Sequence, residues 1–413
     1  MDLIIGAGIS GLSYANFCGH SDYIIIEKES SIGGYCKTIK QDGFTWDYSG
    51  HFFHFRDEKI KEYLLDRMPD QEILTILKKT QIYYKGNYID FPFQKNIHQL
   101  EKEEFIDCLY DLFNIEQKEE TSFKLMLYNK FGISIAEKFL IPYNEKLYAC
   151  DLDLLDVNAM GRFFPYANKE EIIKNFKDKN DQSYNSTFTY PRGGAIEYIH
   201  ALAKRIDSNK IHLNEEIINI DKEKKIAYTN LKAYKYDRII SSIPFPTLLK
   251  KAQVNYNPEI FSWNKVLVFN LGFNKKGIDK TNHWVYFPEK LYAFYRIGYY
   301  DNIFNDERLS LYVELGFPVS ANINSPELLN IVLSDLKKAN IIDDHQLISH
   351  SSIIMDPAYV HINETSESDK KEKMKELIDF SIYSIGRYGD WKYCSIEDNI
   401  IESKNLAIIL NTK

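Results

Sequence analysis

The sequence has few cysteines, and their spacing does not suit a metal site. The 413 residues include five cysteines, which are scattered and never form a CxxC pair or a cluster with histidine: Cys18, Cys36, Cys108, Cys150 and Cys394. Their odd number and wide spacing indicate neither a disulfide framework nor a zinc site. We therefore predict no bound metal and a reducing, cytoplasmic location.

The chain also lacks long apolar runs and an excess of basic residues. No stretch of 18 apolar residues occurs, and Met1 leads directly into Asp2–Ile5, so we expect neither a membrane span nor a signal peptide. Lys and Arg number 51 against 59 Asp and Glu, which gives a net charge of −8. That balance argues against a nucleic-acid partner. Any anionic ligand must therefore be held by a few placed arginines.

What the chain contains is typical of a folded globular protein. Hydrophobic residues make up 44% and charged residues 27% of the sequence, and its length predicts two or three domains. A short apolar run, Asp2–Ile5, is followed by a glycine-rich turn and a helical pattern over residues 12–19. In such a turn Gly6 allows a tight bend, Gly8 lets the backbone approach a pyrophosphate, and Gly11 permits close helix–strand packing.

A second strand pattern supports a dinucleotide-binding unit. The run Tyr23–Ile26 ends in Glu27, whose carboxylate is placed to accept hydrogen bonds from ribose hydroxyls and disfavours a 2′-phosphate. The alternative is a glycine-rich loop that closes an ordinary βα unit, with Glu27 as a solvated strand end.

The first fifty residues resemble the glutathione-reductase-like FAD enzymes of the amine oxidase and protoporphyrinogen oxidase type. The matching strings are GAGISGL, a strand ending in Glu27-Lys28, the pair Gly33-Gly34, and DYSGH at 47–51. The resemblance implies FAD, with these residues around it: Gly6, Gly8, Gly11, Glu27, Lys28, Gly33 and Gly34. A second GxGxxG, expected for a nicotinamide domain, is absent from the sequence, so electrons would come from external NAD(P)H or another donor.

Further periodicity predicts helices and a second sheet. Residues 57–80 and 100–140 are rich in Lys, Glu and Leu with helical spacing, and a helix is predicted from Ser395. Gln81–Phe93 predicts a hairpin with its turn at Lys85-Gly86-Asn87. Four more strand patterns predict the second sheet: Val266–Phe273, Trp284–Phe287, Phe294–Tyr300 and Leu309–Leu315.

These patterns together predict an α/β fold with three parts. They are a glutathione-reductase-like FAD-binding Rossmann domain, a helical domain and an antiparallel-sheet substrate domain. We expect the FAD-binding domain to be discontinuous, with residues 1–80, 188–250 and 380–413. The helical domain is expected over 95–187, and the substrate domain over 81–94 with 251–379.

Seven strings taken in chain order resemble the eukaryotic-type UDP-galactopyranose mutases. They are GHFF at 50–53, FPFQKNI at 91–97, PYNEKLY at 142–148, YPRGG at 190–194, HWVYFPE at 283–289, FYR at 294–296 and GRYGDWKY at 386–393. The resemblance implies an isomerase of cell-surface polysaccharide biosynthesis that interconverts pyranose and furanose forms of a nucleotide-linked hexose. It also implies that reduced FAD supplies the nucleophile and that no net redox change occurs.

Two arginines occupy the family positions that hold the departing diphosphate. Guanidinium forks suit that concentrated negative charge, and the resemblance assigns the role to Arg162 and Arg296. Arg162 is alternatively a surface salt-bridge residue. Arg296 lies between aromatic residues, where an unpaired charge is costly, so it needs a ligand or a buried carboxylate; we favour the ligand. The resemblance places His51 beside the isoalloxazine, and the alternative is a satisfied core histidine.

The resemblance implies further contacts with substrate and cofactor. On the substrate side they are Phe93 and Gln94 at the uracil ring, Asn144 and Asn185 at the nucleotide, and Tyr286, Tyr359 and Tyr393 around the diphosphate. On the cofactor side they are Arg387, at the flavin or a nearby carbonyl, and Asp398, in the first turn of the helix that would direct its N–H groups at the flavin.

The alternative function is a FAD-dependent oxidoreductase of the amine oxidase or protoporphyrinogen oxidase type. The paired arginines and the FPFQ segment favour the mutase, because a cationic amine would be bound by aromatics or a carboxylate facing the flavin. A scaffold that only binds nucleotide is disfavoured, since a buried arginine is costly without a ligand. The motifs leave the nucleotide, the sugar and the oligomeric state open. UDP-galactose is the default substrate, and UDP-N-acetylgalactosamine, dTDP-fucose or a GDP-heptose are the alternatives.

Overall fold

The computed structural model of the chain describes residues 1–177 and 186–412. The strands in these ranges are β1 (Asp2–Ile5), β2 (Tyr23–Ile26), β3 (Thr38–Gln41), β4 (Phe44–Asp47), β5 (Ile73–Leu77), β6 (Thr80–Tyr84), β7 (Asn87–Asp90), β8 (Thr187–Pro191), β9 (Ile211–His212), β10 (Ile217–Asp221), β11 (Ile226–Thr229), β12 (Ala233–Lys235), β13 (Arg238–Ser241), β14 (Asn264–Phe273), β15 (Trp284–Tyr286), β16 (Arg296–Tyr299), β17 (Ser310–Pro318), β18 (Leu347–Met355) and β19 (Ile382–Ser384).

The same ranges contain α-helices as well as short 3-10 and π-helical turns. The α-helices are α1 (Ile9–Phe17), α2 (Glu58–Leu65), α3 (Lys102–Phe113), α4 (Phe123–Ile135), α5 (Ile141–Tyr148), α6 (Lys169–Asn175), α7 (Ile196–Ala203), α8 (Phe245–Lys251), α9 (Tyr300–Phe304), α10 (Ser325–Lys338), α11 (Glu364–Asp379), α12 (Gly386–Gly389) and α13 (Ile396–Asn411). None of the helices in the described ranges has the length and apolar character needed to cross a bilayer.

Five of the described strands form a parallel sheet in the order β19-β13-β1-β2-β9. Ile4 of β1 lies between Ile25 of β2 and Ile240 of β13. Ile4 packs with residues of α1, α7 and α13, whereas Leu3 and Ile5 pack on the other face with residues of α8 and the β10–β12 sheet. Because both faces are covered, these strands are continuous apolar runs.

A second sheet contains seven of the described strands in the order β18-β14-β17-β16-β15-β6-β7. Neighbours are antiparallel except β15 and β6. The four strand patterns predicted between residues 266 and 315 form β14, β15, β16 and β17 of this sheet, and the predicted hairpin is β6–β7. At its turn, Lys85 and Gly86 have φ of 48° and 81°, which suits a tight two-residue connection. The predicted α/β fold with an antiparallel sheet is confirmed.

The helix predicted over residues 57–80 is wrong beyond Leu65. Helix α2 ends there, and Ile73–Leu77 forms β5, which pairs antiparallel with β8. The segment Ile-Leu-Thr-Ile-Leu is short and rich in β-branched residues, and its pairing partner is far along the chain. In the predicted helix over 100–140, α3 and α4 are separated by residues 114–122. The helix predicted from Ser395 is confirmed as α13, which has a capping box formed by Ser395 and Asp398.

The three-domain division stays a proposal. The parallel sheet takes its strands from residues 2–26, 211–241 and 382–384. The helices α3–α6 lie between the hairpin β6–β7 and β8, and the seven-stranded sheet combines that hairpin with strands of residues 264–355. This distribution is compatible with the proposed boundaries.

Candidate active site

A cavity of about 820 Å³ lies between the parallel sheet and the seven-stranded sheet. Its wall includes Gly6 and Gly8 at the end of β1 and Glu27 at the end of β2. On the other side it includes Arg296 of β16 and Glu314 of β17. The cavity therefore joins the carboxyl ends of parallel strands, where nucleotides bind in α/β folds, to charged side chains of the antiparallel sheet.

The glycine turn forms an open cradle at this cavity. Gly6 has a φ of 102°, in the region that favours glycine. A Cβ on Gly8 would meet nothing closer than the Cα of Gly34, at 3.8 Å. A Cβ on Gly11 would lie 2.0 Å from the carbonyl oxygen of Gly6. Gly11 therefore allows helix α1 to pack closely on the turn, whereas Gly8 leaves space through which a ligand can approach the backbone. No described side chain caps α1, which leaves its first N–H groups available for an anion.

Glu27 fixes the shape of the cradle. Its carboxylate accepts hydrogen bonds from the backbone N–H of Ala7 at 2.8 Å and from that of Glu29 at 3.0 Å. The side chain is buried and lines the cavity, so the reading of Glu27 as a solvated strand end is wrong. Lys28 also lines the cavity but is largely exposed and lies 3.7 Å from Glu29.

His51 contributes a neutral imidazole to the cavity wall. Burial, with a further contribution from Arg387, lowers its pKa to about 4. Its Nδ1 is buried and has no partner within the described residues. A buried ring nitrogen of this kind is a group that a ligand can satisfy, and the placement of His51 beside the isoalloxazine stays a prediction.

Arg296 is compensated by a carboxylate that the sequence analysis did not identify. Its guanidinium donates to both carboxylate oxygens of Glu314, at 2.7 and 2.9 Å, and the two residues face each other across β16 and β17. The side chain of Glu314 is 1% exposed and that of Arg296 is 19% exposed. Burial alone would raise the pKa of Glu314, but Arg296 and a hydrogen bond from Ser49 hold it below its usual value. Arg296 therefore has the buried carboxylate that is one of the two expected partners, and its contact with a ligand stays a prediction.

Arg387 lacks such a partner. Its guanidinium lies over the rings of Tyr393 and Tyr359, at 4.6 and 5.1 Å from their centroids. Its contacts with the carbonyl oxygens of Ala358 and Cys394 are long, at 3.4 and 3.5 Å. Within residues 1–177 and 186–412 it forms no ion pair, and its Nε is buried without a hydrogen-bond partner. This positive charge at the cavity wall is therefore available to a ligand.

The predicted diphosphate tyrosines divide into two groups. Tyr359 and Tyr393 line the cavity with their rings stacked, 5.9 Å apart and inclined by 16°. Tyr286 does not line the cavity but pairs with Arg296 across β15 and β16. Its hydroxyl accepts a hydrogen bond from Trp284 at 2.9 Å, and its ring contacts Tyr143.

The predicted nucleotide-binding residues lie in the core rather than at the cavity wall. Phe93 is fully buried and stacks on Phe139 at 5.3 Å. Gln94 is also fully buried and donates to the carbonyl oxygen of Pro165. Asn144 is buried and donates to the carbonyl oxygen of Leu140 at 2.7 Å. Asn185 lies outside the described residues. These substrate roles stay predictions.

Arg162 and Asp398 form an ion pair with each other instead of joining the cavity wall. The Nη2 of Arg162 lies 2.5 Å from the carboxylate of Asp398, and 36% of the Arg162 side chain is exposed. Asp398 also pairs with Arg56 at 2.8 Å. This geometry favours the interpretation of Arg162 as a surface salt-bridge residue. Asp398 also belongs to the capping box of α13.

Asn399, beside Asp398, is a cavity residue that sequence reasoning missed. Its Oδ1 accepts hydrogen bonds from the N–H of Arg387 at 2.8 Å and from the hydroxyl of Ser10 at 3.2 Å. It thereby joins α12 and α13 to the glycine turn. Sequence reasoning also missed Glu314, because the strand register that places it opposite Arg296 is not visible in the sequence.

Comparisons with known proteins identify the family. The family model for flavin containing amine oxidoreductases matches residues 9–351, and the chain belongs to this family. It is 24% identical over 324 residues to the coproporphyrinogen III oxidase of Staphylococcus aureus (strain NCTC 8325 / PS 47), covering 68% of each chain. The family indicates FAD as the cofactor, and the geometry of the glycine cradle is compatible with the predicted binding of its pyrophosphate there.

Solved structures share the fold over the whole length. A crystal structure of reduced UDP-galactopyranose mutase superposes with a TM-score of 0.92 at 24% identity, covering 100% of this chain and 96% of that chain. Cyclohexylamine oxidase from Brevibacterium oxydans IH-35A superposes with a TM-score of 0.69 at 13% identity, covering 99% and 98%. The fold of this chain is therefore that of FAD-dependent mutases and amine oxidases.

Proposed function

We propose that this member of the flavin containing amine oxidoreductase family is a sugar-nucleotide mutase that works with reduced FAD. It would interconvert the pyranose and furanose forms of a nucleotide-linked hexose, with UDP-galactose as the first substrate to test. The full-length fold similarity to reduced UDP-galactopyranose mutase supports this proposal. An external NAD(P)H or another donor would keep the flavin reduced.

The observation that carries the proposal is the group of charged side chains that β16, β17 and α12 bring to the cavity wall near His51. Arg296 and Arg387 bring two positive charges to this part of the wall, and Glu314 brings one negative charge. His51 is neutral at pH 7 because its pKa lies at about 4. One positive charge therefore remains uncompensated by these groups, which suits a diphosphate that must stay bound after it leaves the sugar.

The proposed roles follow from the positions of the side chains. Reduced FAD, bound in the glycine cradle, would supply the nucleophile for the anomeric carbon. Arg296 would hold the diphosphate, with the hydroxyls of Tyr359 and Tyr393 as further donors. His51 would offer its Nδ1 to the cofactor or substrate. Arg162 would have to leave Asp398 before it could reach the same ligand.

A porphyrinogen oxidase is the second candidate, and the curated relative from Staphylococcus aureus favours it. The carboxylates of a porphyrinogen would also suit the guanidinium of Arg387, which forms no ion pair within the described residues. Oxidation of a cationic amine is less compatible with the structure, because Arg387 already lies 4.6 Å from the ring centroid of Tyr393. That position is the one a ligand cation would use in an aromatic site.

Anaerobic turnover distinguishes the two candidates. Purified protein is incubated with UDP-galactopyranose or UDP-galactofuranose, with and without dithionite, and the products are separated by ion-exchange chromatography. Interconversion only with dithionite, at more turnovers than reducing equivalents consumed, supports the mutase. Aerobic oxidation of coproporphyrinogen III, with no change in either sugar nucleotide, overturns it.

Arg296→Ala tests the diphosphate role within the same assay. We expect conversion to fall at least about 100-fold, as when one charged donor to a developing anion is removed, while FAD stays bound. The exposed Arg205 provides a matched control, and Arg205→Ala should retain wild-type activity. Wild-type turnover in folded, flavin-loaded Arg296→Ala protein would contradict the assigned role.

A further inference from the structure

The connection between β15 and β16 carries a candidate ligand residue at each end. Tyr286 is the last residue of β15 and Arg296 the first of β16. The backbone between them is held by one side chain from α5, Lys146. Its Nζ donates to the carbonyl oxygens of Phe287 at 2.8 Å, Glu289 at 3.1 Å and Phe294 at 2.5 Å.

The environment of Lys146 is unusual for a lysine. An ammonium group has three donors and no acceptor, and here each donor has a carbonyl oxygen. Among the described residues no ion pair joins Lys146 to a carboxylate. Glu289 in the connection and Asp335 on α10 favour its charged form from a greater distance, but burial outweighs them and lowers its pKa to about 7. The ammonium is thus held chiefly by the backbone dipoles of one connection.

Helix α5 offers a rigid support for this contact. A Cβ on Gly316 of β17 would lie 2.1 Å from the carbonyl oxygen of Lys146, so helix and strand are in direct backbone contact. Asn264 of β14 donates to the carbonyl oxygen of Leu147 at 2.6 Å. Because α5 is fixed to β14 and β17, its lysine can hold the β15–β16 connection in place relative to Glu314, which is also on β17.

We propose that Lys146 is a positioning residue for the active site, which fixes the β15–β16 connection and so holds Arg296 in the orientation that binds the diphosphate. The identification of the ligand as a diphosphate rests on the proposed function. Asp335 assists from the other side, since its carboxylate accepts a hydrogen bond from the N–H of Ala293 at 2.9 Å. Removal of Lys146 should therefore weaken substrate binding, measured as KM, more than it lowers kcat.

The test compares Lys146→Met with Lys290→Met. Lys290 belongs to the same connection, is 80% exposed and lies 3.7 Å from Glu145, so its removal controls for the loss of a nearby positive charge. Hydrogen exchange is measured by mass spectrometry on peptides that cover residues 287–295. We expect faster exchange there in Lys146→Met only, with the FAD content of both variants unchanged.

Kinetics with UDP-galactose and reduced enzyme provide the second measurement. Lys146→Met should raise KM by about tenfold or more and change kcat by less than about threefold, the pattern expected when binding common to ground and transition states is lost. Lys290→Met should leave both constants within about twofold of wild type. A fall in kcat with an unchanged KM, or unaltered hydrogen exchange, would overturn the proposal.

The pH dependence separates positioning from a general loss of stability. Below its pKa of about 7 Lys146 has three donors, and above it the neutral amine has two. Wild-type and Lys290→Met enzymes should therefore have a higher KM at pH 8.5 than at pH 6, and Lys146→Met should lack this difference. An identical profile in all three proteins would refute the role.

Two arrangements keep the outcomes interpretable. If Lys146→Met does not fold, Lys146→Gln retains two donors and is measured in its place, with an intermediate effect expected. If wild-type protein does not convert any nucleotide sugar, the proposed function fails, and hydrogen exchange at residues 287–295 still decides whether Lys146 is the anchor of the connection.

Discussion

Removing either partner of the pair Arg296–Glu314 should destabilise the protein more than removing both. Arg296→Met leaves the Glu314 carboxylate, which is 1% exposed, without its counter-charge. Glu314→Met leaves a buried guanidinium in the same position. In the double variant Arg296→Met/Glu314→Met neither of these two charges is left without the other, and unbranched apolar side chains fill the space.

The size of the effect follows from the geometry. Two charge-assisted hydrogen bonds of 2.7 and 2.9 Å join the pair, and removal of one partner of a buried ion pair costs about 3–5 kcal/mol. Ser49 also donates to Glu314, so the double variant should lose about 1 kcal/mol for that unmade bond. With single losses of about 3 kcal/mol or more each and a double loss of about 1 kcal/mol, we expect a coupling free energy of about 5 kcal/mol or more between the two positions.

Urea denaturation followed by tryptophan fluorescence measures the free energy of unfolding of the four proteins. All samples are brought to the same ratio of FAD to protein, because bound cofactor adds its own stabilisation. A double variant whose loss equals the sum of the two single losses would refute the reasoning, since it would mean that neither charge depends on the other.

Two further predictions concern the cradle and the histidine. Gly8→Ala should fold normally and lose most of its bound flavin, because its Cβ clears Gly34 by 3.8 Å but projects into the cofactor site; Gly11→Ala should reduce soluble yield, because its Cβ would lie 2.0 Å from the carbonyl oxygen of Gly6. Flavin absorbance and yield check both, and full flavin content in Gly8→Ala would contradict the cradle. For His51, the folded-state pKa of about 4 lies below the ordinary value of 6.5, so the unfolded chain takes up a proton first as the pH falls. The stabilisation from neutral His51 should be complete above about pH 6.5 and lost between pH 6.5 and 4, and His51→Gln should lack this part of the pH dependence in urea titrations.

The parts of this structure that the sequence predicts are those encoded by neighbouring residues. The glycine turn joins a strand to a helix N-terminus within residues 2–17, and the hairpin β6–β7 encloses its own turn. Strand β5 could not be predicted in this way, because its partner β8 lies more than a hundred positions later in the chain. Only this pairing makes residues 73–77 a strand rather than a helix.

The candidate site depends on the same distinction. Residues of the glycine motif reach the cavity wall as expected, because their backbone geometry is local. The counter-charge of Arg296 is set by the register between β16 and β17, and a single-residue shift would turn Glu314 to the other face of the sheet. Likewise, the sequence does not indicate which carboxylate pairs with Arg162. The packing of α13 places Asp398 at that position.

The wall of the FAD cavity has a consequence for the order of events during synthesis. Ser10, beside the glycine turn, is hydrogen-bonded to Asn399, and β19 joins the parallel sheet next to β13. Such long-range pairing is slow to form, and here it cannot form until residues near 400 have left the ribosome. The part of the cavity wall that contains Asn399 is therefore completed only after nearly all of the described residues have been synthesised.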